Sequence, residues 1–370
     1  MSFKIPLASP WLTEVEADFV SKTLASGWLT QNSKQVKELE ESISQYLDEN
    51  SSSGKTFTLT SNGTTALHLA LLSIGIKTGD EVVVADFSYM AVVNSILYCG
   101  ATPVLVDVDS VDWCIDFDKV LKAISERTKA IIVVDNYGTP VNYAKLREIL
   151  PNHITIIQDA AESFPGPNGK IRNGNQGDIS TFSFYANKVF TAGEGGGIFA
   201  NREIIEKIKI LKNQGVEKPG QFEHTVIGYN YRITSLSAAV LAAQWMRKSE
   251  ILNKLNNVFD MYFNYLNDSN VIYKSNFNSN TNPWLFTIQI LNEDSNVGII
   301  REKMTKAGIE TRPGFQLASK LQHLKNLVIS KEDHPVSAEL SKRVISLPTH
   351  ALLTESEIKY ATTELSKSIK

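Results

Sequence analysis

Two cysteines in 370 residues, Cys99 and Cys114, exclude a disulfide framework, and a reducing cytoplasmic setting is expected. No apolar run approaches the roughly 20 residues needed to cross a bilayer. The opening MSFKIPLASPW lacks the apolar segment of a signal peptide, so neither membrane nor export is expected. A basic excess is missing as well. The formal net charge is −3 with no basic stripe, which argues against a nucleic-acid binder. His68, His153, His224, His323, His334 and His350 are widely spaced and put no ligand pair on one helix, so no metal site is expected. Repeats, low-complexity tracts and long linkers are absent too. What remains, with 42% apolar and 21% charged residues, is an ordinary globular composition. The length allows a large domain and a smaller one, at roughly 100–200 residues each.

Thr13-Glu14-Val15-Glu16 is a capping box opening a first helix, with Val15, Phe19 and Leu24 on its apolar side. Val36, Leu39, Ile43 and Leu47 recur at helical spacing in a second. A strand at 57–60 then runs into Ser61-Asn62-Gly63-Thr64-Thr65 and an apolar helix. Strand, small-residue turn and helix start together make an anion site, because unpaired N–H groups and the positive helix end converge there. The spacing is not that of a Walker A loop. From 80 to 159, β-branched runs at 82–84, 103–106, 130–134 and 154–157 alternate with helical segments, which implies a mostly parallel sheet between helices. An amphipathic helix from 248 leads into a second unit with a strand at 285–290, a helix stopped by Gly308 and a final helix opened by the capping box 354–357. The expected division is 1–247 for the large domain and 248–370 for a smaller α+β domain.

Residues 159–197 carry the chemistry. The buried run 154–157 stops at Asp159, placing a carboxylate at the C-terminal edge of a sheet, where open α/β folds bind ligands. A strand at 179–184 delivers Asn187 and Lys188 to a loop, and Glu194-Gly195-Gly196-Gly197 follows. A lysine among apolar and aromatic neighbours is a natural Schiff-base residue, since desolvation frees its amine as a nucleophile. Taken singly, Lys188 could be an ordinary solvated lysine and Asp159 a helix N-cap.

In order, Asp159-Ala160-Ala161, Ser183-Phe184, Lys188 and Glu194-Gly195-Gly196 resemble the DegT/DnrJ/EryC1/StrS family of sugar aminotransferases, which use pyridoxal 5'-phosphate (PLP). The resemblance implies an α/β chain of PLP-dependent transferase fold type I, with a seven-stranded-type sheet in the large domain. It implies Lys188 as the catalytic lysine and Asp159 facing the pyridine nitrogen. Gly63, Thr64, Thr65 and Ser183 would hold the phosphate, with Asn230 reaching across from the partner of a homodimer. Tyr89, rather than a core-facing Phe87, would lie against the ring. Glu162 occupies the place near the PLP 3'-oxygen where many relatives carry His or Gln. Thr30 in Gly-Trp-Leu-Thr, Arg232 in Gly-Tyr-Asn-x-Arg and Arg312 in Gly-Ile-x-Thr-Arg would contact substrate. Asn32-Ser33 stands where the family has Gly-Pro, and Gly314-Phe315-Gln316-Leu317-Ala318 replaces its aromatic-Pro-Leu-His run.

The implied reaction moves an amino group from L-glutamate to a nucleotide-diphosphate keto-sugar for surface polysaccharides such as lipopolysaccharide O-antigen. Residues 183–196 look most like the perosamine-synthetase-type members, which aminate C4 of a 4-keto-6-deoxy sugar. Transfer to C3, a PLP- or PMP-dependent sugar dehydratase with His in place of the lysine, and a non-catalytic regulatory relative stand as the alternatives.

Overall fold

The computed structural model describes residues 3–30, 33–49, 51–166, 174–218, 223–266, 271–273, 277 and 281–369. Gln31, Asn32, Asn50 and residues 219–222, which the sequence places in loops, lie outside them. An eight-stranded sheet runs in the order β1 (Lys55–Thr60), β7 (Gly196–Asn201), β6 (Ile179–Ser183), β5 (Thr155–Asp159), β4 (Thr128–Val134), β2 (Glu81–Ala85), β3 (Thr102–Val106) and β11 (Ile329–Ser330). From β6 to β11 neighbouring strands pair in parallel, and β7 is antiparallel to both β6 and β1. Val82, Val83, Val84, Ile131 and Ile132 are completely buried, as expected for strands covered on both faces. A second, antiparallel sheet has the order β10 (Arg312–Pro313), β12 (Val344–Ser346), β9 (Thr287–Ile290) and β8 (Val271–Tyr273).

The helices are α1 (Glu14–Ser26), α2 (Lys34–Asp48), α3 (Gly63–Ser73), α4 (Ala91–Tyr98), α5 (Phe117–Ala123), α6 (Tyr143–Ile149), α7 (Arg202–Leu211), α8 (Ser235–Met246), α9 (Lys248–Tyr265), α10 (Val297–Lys306), α11 (Pro335–Arg343) and α12 (Glu355–Ile369). Both expected capping boxes form. Glu16 Oε2 accepts the Thr13 N–H at 2.7 Å, and Glu357 Oε2 accepts that of Thr354 at 2.9 Å. Gly308, at φ +81°, ends α10 in the left-handed conformation that glycine adopts without cost.

Two expectations change. Leu24 is exposed, and the buried residues of α1 are Glu16 and Thr23. The helix is anchored by charge instead: Glu16 Oε1 pairs with Arg247 at 2.9 Å and accepts from Gln244 at 2.7 Å. The chain also crosses the 247/248 line in both directions. Ile5 lies in the core of the smaller unit, with Phe286 and Ile345, while β11 returns to close the edge of the large sheet and makes its eighth strand. A strand of two residues carries too little periodicity to be read from sequence.

Candidate active site

Strand β5 keeps its ladder to β6 through the Ala160 N–H, which donates to Thr181 O at 2.9 Å, and the chain then turns, the Ser163 and Phe164 N–H groups both donating to Ala160 O at 3.2 and 3.0 Å. Asp159 Oδ1 accepts the Ala161 N–H at 3.1 Å, so this carboxylate does cap the turn that follows. Burial pushes its pKa up to about 7; the Ala161 N–H and the Lys188 charge oppose that rise, while the Glu162 and Asp135 carboxylates add to it. Three residues on, Glu162 accepts the Tyr137 N–H at 2.8 Å through Oε2 and stands 3.7 Å from Lys188 Nζ through Oε1.

Lys188 follows β6 in a turn closed by its N–H to Tyr185 O at 2.9 Å. Burial pulls its pKa below the usual lysine range; Glu162 and Asp159 work against that pull, and Arg312 reinforces it. Nζ also lies 3.6 Å from the centre of the Trp284 ring. The glycines after the lysine allow close packing. A Cβ on Gly196 would stand 2.3 Å from the Asn62 backbone, and one on Gly197 would strike the Phe57 ring at 2.1 Å.

That packing sets β7 and β6 against the start of α3. Asn62 caps the helix, its Oδ1 accepting the Thr65 N–H at 2.9 Å, while Thr65 Oγ1 accepts the Asn62 N–H at 3.2 Å. Thr65 is therefore occupied by the cap. The first two N–H groups of the helix, those of Gly63 and Thr64, stand at its open positive end. A Cβ on Gly63 would lie 2.9 Å from that of Ser183, so only glycine brings this turn against the end of β6.

Strand alternation sorts the two aromatics after β2. Phe87 is completely buried, whereas Tyr89 is half exposed and lies under the Arg312 guanidinium at 5.6 Å. Among the described residues Arg312 has no carboxylate partner. Phe315 stacks on Tyr137 at 5.0 Å, and Tyr137 on Trp284 at 6.3 Å. Thr30, Asn230 and Arg232 do not join this cluster. Arg232 holds Asn230 Oδ1 at 2.9 Å and Asn213 Oδ1 at 2.9 Å, presenting Asn230 at the surface. Thr30 is anchored through its carbonyl to Ser235, and Trp28 beside it is exposed rather than packed.

Sequence reasoning missed Trp284, Tyr137 and Phe315. Their periodicity marks them only as core residues, and Trp284 meets its partner Asn187 across 97 positions. The donor set fits a flat aromatic ring carrying a basic nitrogen, a carbonyl and a phosphate. Asp159 is a buried acid in need of a cation, Lys188 a buried amine, and the Gly63–Ser183 contact brings a hydroxyl beside the helix end.

Such a set on this fold defines a PLP-dependent aminotransferase. More particularly, the chain belongs to the DegT/DnrJ/EryC1/StrS aminotransferase family, whose model matches residues 10–366. It is 34% identical over 361 residues to the GDP-perosamine synthase of Vibrio cholerae, covering 96% of each chain. To the GDP-perosamine synthase of Escherichia coli O157:H7 it is 33% identical over 359 residues, again covering 96% of each. Among solved structures, the putative sugar aminotransferase Spr1654 of Streptococcus pneumoniae in its PMP form superposes with a TM-score of 0.91 at 26% identity, covering 99% of this chain and 97% of that one.

Proposed function

We propose that this chain moves an amino group from L-glutamate to C4 of a nucleotide-linked 4-keto-6-deoxyhexose, as a homodimer in the cytoplasm, toward a surface polysaccharide. The observation that carries the chemistry is the placement of Lys188: a largely enclosed amine facing Glu162, whose nearest carboxylate oxygen at 3.7 Å is beyond hydrogen-bond length. The choice of sugar rests on similarity to the two perosamine synthases along almost the whole chain. A lysine at position 188 disfavours the dehydratase reading, which requires histidine there.

PLP, when bound, supplies an electron sink for the carbon whose proton is moved. The chain's residues do the rest. Asp159 holds a proton at the ring nitrogen, and its burial makes a cationic partner favourable. Lys188 Nζ holds the cofactor and, when free, carries the proton of the transfer as a general base. Glu162, fixed by the Tyr137 N–H, orients that amine. The Gly63 and Thr64 N–H groups with the Thr64 and Ser183 hydroxyls would hold the phosphate, and Thr65 keeps the helix start in shape. Asn230, braced by Arg232, would reach the phosphate held by the partner subunit. Tyr89, on the open side beside Arg312, would lie against the ring. Arg312, a cation without an acid partner, receives a substrate carboxylate or phosphate, and Thr30 borders the sugar-nucleotide.

Loss of visible absorbance when L-glutamate is added to the PLP-loaded protein is the first expected result. With GDP-4-keto-6-deoxymannose as acceptor, the absorbance should return and the product should carry nitrogen at C4 by NMR. Nitrogen at C3 would establish the C3 alternative. An absorbance unmoved by L-glutamate would remove the donor assignment.

A further inference from the structure

Trp284 comes from the segment that leads into β9, far in sequence from the lysine loop, yet it meets that loop in two ways. Its indole Nε1–H donates to Asn187 O at 2.8 Å, the carbonyl immediately before Lys188. Its ring face lies 3.6 Å from Lys188 Nζ, well inside the range for attraction between a cation and an aromatic face. The ring is itself held. Trp284 is buried, stacks on Tyr137 at 6.3 Å with planes 17° apart, and follows Asn282. The Asn282 N–H donates to Gly138 O at 3.0 Å, and its side-chain amide donates to Glu162 O at 3.0 Å and Phe164 O at 3.2 Å. The segment thus threads between the turn after β4 and the turn after β5 and delivers a fixed aromatic face to the amine.

We propose that Trp284 is a positioning residue for Lys188: its indole face holds the lysine's cationic nitrogen against Glu162, and its N–H pins the backbone of the loop that carries the lysine. This rests on reading Lys188 as the amine that holds the cofactor. Among the described residues the nearest acceptor to Lys188 Nζ is Glu162 Oε1 at 3.7 Å, beyond hydrogen-bond length, so an aromatic face is a suitable holder. It stabilises the charge and orients the stem while leaving the lone pair unclaimed once the proton departs. An acceptor such as a carbonyl would keep the proton and hinder the release the reaction needs. The charged groups acting on Nζ are Glu162, Asp159 and Arg312. The indole adds an uncharged attraction that favours the protonated form.

The sign of one titration separates positioning from mere packing. Lys188 in the full-length, cofactor-free protein is acylated with acetic anhydride across pH, and its neutral fraction is read from the mass of the peptide containing it. Losing the ring face removes stabilisation of the ammonium, so Trp284→Leu should move the midpoint down by about one pH unit, and Trp284→Phe by about half as much. If the indole only filled space, its loss would admit water, relieve desolvation and move the midpoint up. A midpoint that is unchanged or raised overturns the proposal. Lys212, buried elsewhere, is the internal control and should not move. Should Trp284→Leu fail to fold, the Phe variant carries the same test of sign. The reading of Lys188 itself is checked separately in the wild type: borohydride should fix PLP on the Lys188 peptide, and its failure to do so would remove that reading while leaving the titration interpretable.

Discussion

Lys212 is buried and Lys188 nearly so, its side chain 14% exposed, and burial pulls both below the usual lysine range. Their surroundings differ in one respect. Lys212 Nζ donates to Thr58 Oγ1 at 2.6 Å and Leu59 O at 2.7 Å, with Glu40 at 3.8 Å, so its protons are engaged in joining the C-terminal end of α7 to β1. Lys188 Nζ has a ring face at 3.6 Å and a carboxylate at 3.7 Å, and, among the described residues, no acceptor at bonding distance. The first is a structural tie, whose loss would strand buried acceptors. The second is held by softer forces, as the proposed reactive amine requires.

The largest expected effect breaks this pair apart. Lys188→Ala should lower amino transfer by about 10⁴-fold or more, leave stability nearly unchanged, and abolish borohydride fixation of PLP. Retained fixation on another residue would overturn the assignment. Next comes the acid at the end of β5, Asp159. Folding raises the pKa of Asp159 from an ordinary aspartate value to about 7, so the folded state holds that proton more tightly than the unfolded chain. In the cofactor-free protein this contribution is favourable in acid and is lost as pH rises from about 4 through 7. Asp159→Asn should lack that slope and gain on the wild type by an amount on the order of 4 kcal/mol above pH 7. Parallel urea-unfolding curves at pH 5 and pH 8 would refute it.

Lys212→Met should then behave as the mirror of the Lys188 variant. Stability falls by roughly 3 kcal/mol in urea titrations, because Glu40 and the Leu59 carbonyl lose their partner, while the rate per folded molecule is kept. A lost rate with intact stability would erase the distinction between the two lysines. The smallest effect lies at the helix end. Thr65→Ala should cost about 1 kcal/mol through its cap. Thr64→Ala should weaken PLP binding about tenfold, measured by fluorescence titration, with stability unchanged, since a hydrogen bond to a charged group contributes about 1.5–3 kcal/mol.

Much of the site was legible because its signals are local. A buried run that stops at an acid places Asp159 at a sheet edge, and a strand that stops shortly before Lys188 places the amine beside it. Strand alternation assigns Phe87 to the core and Tyr89 to the open side. The cap at the start of α3 was only half legible: small residues announce an anion site, but which threonine closes the cap depends on rotamers, and Thr65 rather than Thr64 does so. At α1 the periodic apolar residues misled, because the helix docks through the buried Glu16–Arg247 pair, whose partners are 231 positions apart.

What the amino-acid sequence determined by itself is therefore the parallel sheet, the acid and the lysine at its edge and the small-residue helix start, since each follows from neighbours within a few positions. Only the tertiary structure decided that β11 would rejoin the large sheet, that Arg232 would brace Asn230, and that Trp284 would lie under the lysine. These depend on pairings across tens to hundreds of residues, set by how the whole chain packs and by no short-range preference of the residues involved.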